Sequence, residues 1–289
     1  MRTFGFGLLI LSVLALHAYA TPFLGSGWNF SVLGASTVTN TGATTLNADL
    51  GVSPGTAVTG SGTITFTGAP PNNVITSTAT AAGGQLAATN AVSAINSLGP
   101  GLSIGPDLTG QLLGDTGGLN TVYDVGATPF NIASGGVLTL NFNGHSGENI
   151  IFVMSSTLIT GSGSSVRIVG ADATDNVFWE VGSSATLGTT TSFVGNIIAS
   201  TAVTLDTGAT IGCGSVVAQT AAVTMDHNTI SNTCAFSTGG GGTPVGTVTP
   251  TPTGPGTTVA VLEGGSTLLY LGLLLVPIGA MRIFRRRSV

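Results

Sequence analysis

The stretch between Asn176 and Ile230 repeats one pattern three times, and this repeat limits the possible folds more than any other feature of the sequence. In each turn, a short apolar segment precedes a Thr-containing segment and then a third short segment. Thr186, Thr204 and Thr224 hold the same place in successive turns, 18 and 20 residues apart. A period near 20 residues with three short pieces per turn is typical of a β-solenoid whose coil has three sides. We therefore predict an all-β fold of stacked triangular coils.

One segment departs from this pattern, because its apolar residues recur at helical spacing. They are Ile75, Ala79, Ala82, Leu86, Ala91, Ile95 and Leu98. This spacing predicts an amphipathic helix that ends at Gly99-Pro100. The pair Gly83-Gly84 predicts an interruption, because glycine costs about 1 kcal/mol per residue relative to alanine in a helix. A single helix has no core of its own, so we expect its apolar face to lie against the flank of the solenoid.

The charge balance excludes nucleic acid as a partner. The chain has 289 residues, of which 45 are glycine, and only 6% are charged. Between Thr21 and Leu262, a single basic residue, Arg167, stands against ten acidic residues, which gives a formal charge of −9. Such a surface cannot neutralise phosphates.

Few residues are available for acid–base chemistry. Asp206 and Asp226 recur at one coil position, where we expect them to satisfy backbone groups at coil corners. His145 and His227 stand apart from any partner motif in the sequence. Catalysis on a solenoid needs clustered carboxylates or basic groups, so we predict no enzyme. The sequence argues for no cofactor and no metal ion.

Both ends of the chain carry targeting signals. Residues 1–20 combine a charged start, a short apolar run and Ala18-Tyr19-Ala20, and this plan predicts a secretory signal peptide rather than a membrane anchor. The solenoid domain is predicted over residues 21–236, followed by a flexible Gly/Thr/Pro linker over residues 237–261. Residues 262–289 hold an apolar run followed by arginines, which predicts a transmembrane or sorting anchor. We therefore expect a secreted or cell-surface protein.

The two cysteines leave two alternatives. Export makes Cys213 and Cys234 candidates for a disulfide. They lie 21 residues apart, about one coil, and neighbouring coils stacked roughly 4.8 Å apart would bring them within bridging distance. Two buried free thiols are the other alternative.

Several stretches of the domain resemble one family. They are Phe30–Thr39 with Asn40-Thr41-Gly42, Asp49–Val58, the most telling segment Asn176–Gly188, and Ala222–Ile230. Together they resemble the microbial ice-binding (antifreeze) proteins of the DUF3494 type. The resemblance implies a discontinuous triangular β-solenoid with one long α-helix alongside, whose N-terminal strands are inserted among later coils. It also implies an ice crystal surface as the partner of a monomeric protein.

The C-terminal tail is similar to sorting signals of the PEP-CTERM type, which exosortase-like proteases recognise. It departs from them at the signature itself, because Leu262-Glu263-Gly264 stands where those signals have Pro-Glu-Pro. A sorting protease is therefore a candidate partner, and the same tail would attach the protein to a membrane.

Ice binding requires a flat, rigid face with small side chains at regular spacing. Threonine suits it, because its χ1 angle is stiff and it offers both a methyl and a hydroxyl group. The favoured face continues through the earlier coils, although Ile159 stands where an outward threonine is expected. Its candidate ice-binding residues are Thr37, Thr39, Thr157, Thr160, Ser184, Thr186, Thr201, Thr204, Thr220 and Thr224. A competing face collects Thr189–Ser192, Thr207–Thr210 and Asn228-Thr229.

A second function stays open at this point. Any solenoid places threonine and serine at outward positions, because these residues suit strands. A non-catalytic surface adhesin or structural cell-envelope protein would therefore share many of these features.

Overall fold

The computed structural model describes residues 23–25, 28–68 and 73–234. The predicted signal peptide, linker and anchor therefore lie outside the described residues. Within the described residues the chain forms 24 short strands and the helix α1 (Ala79–Asn96). In chain order, the strands are β1 (Phe30–Gly34), β2 (Thr37–Asn40), β3 (Thr44–Leu46), β4 (Asp49–Val52), β5 (Ala57–Thr59), β6 (Ile64–Phe66), β7 (Val74–Thr76), β8 (Leu102–Ser103), β9 (Leu112–Gly114), β10 (Asn120–Gly126), β11 (Phe130–Ile132), β12 (Val137–Asn141), β13 (Asn149–Met154), β14 (Leu158–Thr160), β15 (Ser165–Val169), β16 (Asn176–Val181), β17 (Ala185–Leu187), β18 (Ser192–Val194), β19 (Asn196–Ala199), β20 (Val203–Leu205), β21 (Thr210–Gly212), β22 (Val216–Ala218), β23 (Val223–Met225) and β24 (Thr229–Ile230).

These strands form three parallel sheets, which are the three sides of the coil. Sheet A has the order β7-β4-β1-β22-β19-β16-β13-β10-β8. Sheet B has the order β11-β14-β17-β20-β23-β2-β5, and sheet C the order β6-β3-β24-β21-β18-β15-β12-β9. Before β7 and after β9, successive strands pass from A to B to C and back to A, so the predicted three-sided β-solenoid is confirmed. Around α1 the order differs, because β7 and β8 both belong to sheet A and β8 leads directly to β9 of sheet C. None of the helices within the described ranges has the length and apolar character that crossing a membrane would require.

Chain order and coil order differ, as the resemblance implied. The N-terminal strand β1 pairs with β22 near the other end of the chain, with Val32 opposite Val216. The N-terminal coils therefore stack beyond the last coil, and the implied insertion of the N-terminal strands among later coils is wrong. The helix explains this arrangement, because β7 and β8 lie at opposite edges of sheet A and α1 connects them. Its 18 residues extend about 27 Å, the height of between five and six coils.

The interior of the solenoid is built from every second side chain of each strand. In β23, for example, Val223 and Met225 are buried and Thr224 between them is not. The largest buried side chain is Trp179 on β16, whose ring stacks on Phe152 at a centroid distance of 4.1 Å. The Trp179 indole Nε1 donates a hydrogen bond to the Val194 carbonyl at 2.9 Å. One continuous apolar column thus holds the three sheets at fixed separations.

Helix α1 lies against the outer surface of sheet A, as expected, but the face that it buries differs from the prediction. The buried positions are Ala81, Gly84, Ala88, Ala91 and Ile95. The predicted core residue Leu86 is 61% exposed, and Ala79, Ala82 and Leu98 are exposed as well. Ile75 belongs to β7 and not to the helix.

The reason for this difference is the bulk of the sheet. Phe30, Leu33 and Phe178 already fill the space between helix and sheet, so the helix contributes small residues there. A Cβ atom at Gly84 would lie 2.8 Å from the Phe30 ring, and this close approach explains the glycine. The predicted interruption at Gly83-Gly84 does not occur, because the helix runs unbroken from Ala79 to Asn96. Its first turn is capped by the Thr78 hydroxyl, which accepts a hydrogen bond from the Ala81 amide.

A disulfide joins Cys213 and Cys234, whose Cα atoms lie 4.4 Å apart. Of the two alternatives for the cysteines, the structure contains the bridge. Closing a loop with a sequence separation of 21 residues restricts the unfolded chain, which stabilises the fold by about 3 kcal/mol.

Replacing both cysteines by serine is expected to lower the free energy of unfolding by about 3 kcal/mol, because the unfolded chain regains the entropy of the open loop. Urea denaturation of the wild-type and Cys213→Ser/Cys234→Ser proteins measures this change. Treatment with a reductant is the control and should shift the midpoint of the wild type only. Equal midpoints of the two oxidised proteins would contradict the prediction.

Candidate functional site

Two outward-facing rows of small side chains run across sheet B. The first, here called the threonine row, crosses adjacent strands in direct register and consists of Ile159, Thr186, Thr204, Thr224, Thr39 and Thr59. The second, here called the small-residue row, lies two residues earlier along the chain, at the first residue of a strand or just before it, and consists of Thr157, Ser184, Ala202, Ala222, Thr37 and Ala57. We call both rows together the B face. It contains no charged residue.

The strands hold these side chains outward by simple alternation. In β20, Val203 and Leu205 are 0% and 1% exposed, so Thr204 between them must point to solvent. Strands within a sheet lie about 4.8 Å apart, and alternate residues along a strand are about 6.6–6.8 Å apart. The B face is therefore a lattice with two repeats. The hydroxyl oxygens of Thr39 and Thr59 lie 3.4 Å apart, which brings neighbouring members of the threonine row into contact.

Most of the predicted site residues lie together on the B face. Those in the two rows are Thr37, Thr39, Thr157, Ser184, Thr186, Thr204 and Thr224. Thr201 and Thr220 are exposed at the corner that precedes sheet B, where the Thr220 hydroxyl donates to the Ser200 carbonyl at 2.7 Å. Ile159 is outward and 45% exposed, as the pattern predicted.

The placement of Thr160 on this face is wrong. Thr160 is 2% exposed, and its hydroxyl oxygen lies 3.0 Å from that of Thr191 inside the solenoid. Strand alternation explains the error, because Leu158 and Thr160 flank the outward Ile159 and must both point inward.

Sequence reasoning missed β5, which adds Ala57 and Thr59 to the B face. A signal was present, because Ala57-Val58-Thr59 repeats the order small, apolar, threonine of Ala202-Val203-Thr204. The same order recurs in Thr37-Val38-Thr39, the strand that pairs with β5.

Sheet C, which carries the competing face, is less regular. It has one outward row of hydroxyl residues, listed in sheet order as Thr65, Thr45, Thr229, Thr210, Ser192 and Ser165. The neighbouring outward positions include the exposed Arg167 and the bulky Val194, which interrupt a flat surface. Two members of the predicted competing face, Thr191 and Asn228, are each 1% exposed.

The outer surface of sheet A is unsuitable for a different reason, because α1 covers part of it. Ile151, Ile198 and Val217 on this surface pack in the same buried cluster as the helix residues. Of the three sides of the solenoid, the B face is therefore the one that combines two rows, small residues and absence of charge.

Asp226, one of the two predicted corner residues, is held in local side-chain hydrogen bonds. Asp226 accepts a hydrogen bond from the Thr207 hydroxyl and lies 2.7 Å from the ring of His227. The Thr207 hydrogen bond and then the His227 hydrogen bond lower the pKa of the Asp226 carboxyl. The Asn228 side-chain amide donates to the carbonyls of Asp206 and Ala209. This corner therefore has a local network, but the predicted carboxylate-to-backbone hydrogen bonds are wrong. The Asp226 carboxylate binds side chains, and Asp206 takes part through its main-chain carbonyl.

His145 is not isolated, contrary to the prediction. Its Nδ1 atom lies 3.1 Å from Asp115 Oδ1 and 3.5 Å from Glu148 Oε1. Glu148 follows His145 by three residues, whereas Asp115 lies 30 residues from His145 in sequence and becomes its neighbour only through the stacking of the coils. Burial, and next the charge of Asp115, raise the pKa of the Glu148 carboxyl.

The fold and the B face together define a class: discontinuous three-sided solenoids with a helix along one side and a flat threonine lattice on another. Residues 32–231 match the family described as Ice-binding-like. The chain belongs to this family.

Named relatives agree with this assignment. An "Ice-binding protein" of Nostoc sp. (strain HG1) is 42% identical over 234 residues, which cover 78% of this chain and 82% of the relative. An "Ice-binding protein" of Flammulina populicola is 30% identical over 236 residues, which cover 77% of this chain and 92% of the relative.

Solved structures show the same architecture. The crystal structure of an ice binding protein from an Antarctic Biological Consortium has a TM-score of 0.65 and 33% identity, and the match covers 74% of this chain and 93% of that chain. The crystal structure of an ice-binding protein from Antarctomyces psychrotrophicus has a TM-score of 0.63 and 31% identity, covering 73% of this chain and 98% of that one.

Proposed function

We propose that this protein binds ice through the B face and that it is not an enzyme. The observation that carries the proposal is the threonine row, in which Thr186, Thr204, Thr224, Thr39 and Thr59 stand on five adjacent strands in direct register. The names of its relatives as ice-binding proteins support the same function.

Binding works by adsorption through many weak contacts. Each outward threonine offers a methyl group and a hydroxyl group, and ordered water between neighbouring side chains joins the lattice of the ice. A single contact of this kind is weak, but contacts on a rigid sheet act simultaneously, so their combined effect is large. The buried column around Trp179 keeps the sheet rigid. Adsorbed protein inhibits growth or recrystallisation of the ice.

We further propose that the protein acts outside the cell as a monomer. Residues 1–20 would direct export, and residues 237–261 would form a flexible linker to an anchor over residues 262–289. A sorting protease would act on that tail, or the tail would stay in the membrane and hold the cell near ice. The domain 21–236 would then present the B face to the surroundings.

Adsorption to a single ice crystal tests the function directly. Dye-labelled protein should concentrate on the crystal surface and stay there while unlabelled solution is exchanged around it. A labelled inert protein of similar size is the control. If this chain washes off as the control does, and instead binds a polymer or cell surface, the adhesin function replaces the proposal.

Ile159 offers a way to enlarge the face. The Ile159→Thr protein extends the threonine row by one strand, and one further hydrogen-bonded contact of about 0.5 kcal/mol corresponds to roughly twofold stronger adsorption. The lowest protein concentration that stops ice recrystallisation should fall accordingly. Val137→Thr is the matched control, because it adds a threonine to the outward row of sheet C beside Ser165. Equal gains from both substitutions would contradict the choice of the B face.

A further inference from the structure

Three metal-ligating side chains meet at a corner of the solenoid between sheets C and A. Asp115 follows β9 of sheet C, His145 follows β12 of the same sheet, and Glu148 immediately precedes β13 of sheet A. One ligand atom from each residue lies within 4.8 Å of the other two. The B face lies on the opposite side of the coil, so this cluster is separate from the proposed ice-binding surface.

Glu148 is the unusual member of this cluster. Its side chain is 9% exposed, and its Oε2 atom is buried without a hydrogen-bond partner among the described residues. The neighbouring Asp115 side chain is 1% exposed. Two buried carboxylates therefore lie beside the same ring nitrogen of His145. Burying a carboxylate is costly unless it is paired or binds a metal. The unpaired Glu148 oxygen therefore indicates that a positively charged ligand binds here.

The spacing of the ligand atoms suits a small tetrahedral ion. Zinc binds histidine nitrogen and carboxylate oxygen at about 2.0–2.2 Å, which places adjacent ligand atoms about 3.3–3.5 Å apart in a tetrahedron. His145 Nδ1 lies 3.1 Å from Asp115 Oδ1 and 3.5 Å from Glu148 Oε1. These two of the three separations bracket the tetrahedral value, and the third, between the Asp115 and Glu148 carboxylates, is within 4.8 Å.

The donor chemistry selects among metals. Calcium and magnesium prefer oxygen ligands alone, whereas an imidazole nitrogen with carboxylates suits a first-row transition ion. Surrounding groups already orient the ligands. Asp115 accepts hydrogen bonds from the Gly117 amide and the Asn143 side chain, and Asp175 accepts from the Glu148 amide. Such outer hydrogen bonds are a regular part of metal sites.

We propose that Asp115, His145 and Glu148 bind one divalent transition-metal ion, with Zn²⁺ as the best match. The ion would connect the coil that contains β9 to the next coil, which contains β12, and to the start of β13. These coils lie at the end of the stack, where sheet A finishes with β8 and sheet C with β9. The role of the ion is to stabilise these terminal coils, which have a neighbouring coil on one side only.

Calorimetric titration with zinc chloride tests the site on the full-length chain after treatment with a chelator. We expect one ion per chain. At a hundredfold excess of Zn²⁺ over its dissociation constant, the melting temperature should rise by about 5–10 °C. Calcium chloride at the same concentration should leave the melting temperature unchanged.

Two variants and one control assign the effect to these residues. The His145→Ala and Glu148→Gln proteins should lose the zinc-induced shift, and metal-free Glu148→Gln should melt no lower than the wild type because one of two adjacent buried charges is gone. His227→Ala is the matched control, since His227 is also exposed and also contacts one aspartate. It should keep the full shift. Absence of zinc binding by the wild type, or a full shift in His145→Ala, would overturn the proposal.

Discussion

The Thr204→Tyr protein is expected to lose ice binding while its solenoid stays folded. Thr204 stands at the centre of the threonine row, paired with Thr186 on one side and Thr224 on the other. A tyrosine ring projects several ångströms beyond these neighbours and lifts the flat face away from the ice lattice. Loss of only two or three contacts of about 0.5–1.5 kcal/mol each lowers adsorption at least about fivefold. Recrystallisation assays and adsorption to a single ice crystal measure the loss.

The matched control is Thr210→Tyr. Thr210 occupies the outward row of sheet C in register with Ser192 and Thr229. Like Thr204 it is partly exposed, so the same substitution is made at a comparable threonine outside the B face. It should retain ice activity, and circular dichroism should show both variants folded. Activity retained in Thr204→Tyr and lost in Thr210→Tyr would transfer the site to sheet C.

The second large effect concerns stability. The Trp179→Ala protein is expected to lose about 3–5 kcal/mol of unfolding free energy, because a large cavity opens in the interior. The ring of Trp179 packs against Phe152, Phe130 and Phe193, and its loss also leaves the Val194 carbonyl without its donor. Urea denaturation followed by circular dichroism measures the change.

Leu86→Ala is the informative comparison. Leu86 is 61% exposed on the outer side of α1, so its truncation should change stability by no more than about 0.5 kcal/mol. Sequence periodicity predicted a buried Leu86, and that prediction implies a cost of about 2–5 kcal/mol. A large loss in Leu86→Ala would therefore contradict the helix orientation, and a small loss in Trp179→Ala would contradict the packing of the column.

The repeat made the coil predictable, because strand alternation and a period near 20 residues leave few other folds. Thr186, Thr204 and Thr224 were placed correctly for the same reason, since each lies between two buried apolar residues. The prediction for Thr160 is wrong because it places two adjacent strand residues, Ile159 and Thr160, on the same outward face. Strict alternation from the outward Ile159 would have put it inside.

Long-range placement was harder to predict. The buried face of α1 depends on the bulk of Phe30 and Phe178 in a sheet whose strands come from both ends of the chain. Periodicity within the helix favours leucine as the core residue, whereas close packing against a bulky sheet selects alanine and glycine. His145 shows the same limit, because Asp115 lies 30 residues away in sequence and becomes a neighbour only through coil stacking.

The central claim, that this protein binds ice, is tested most directly by growth of a single ice crystal in a nanolitre osmometer. The purified protein should produce a faceted crystal that stays the same size over a range of temperatures below its melting point. Such a freezing gap follows if the B face adsorbs to ice and blocks growth. Round crystals that grow freely just below the melting point, even at high protein concentration, would contradict it.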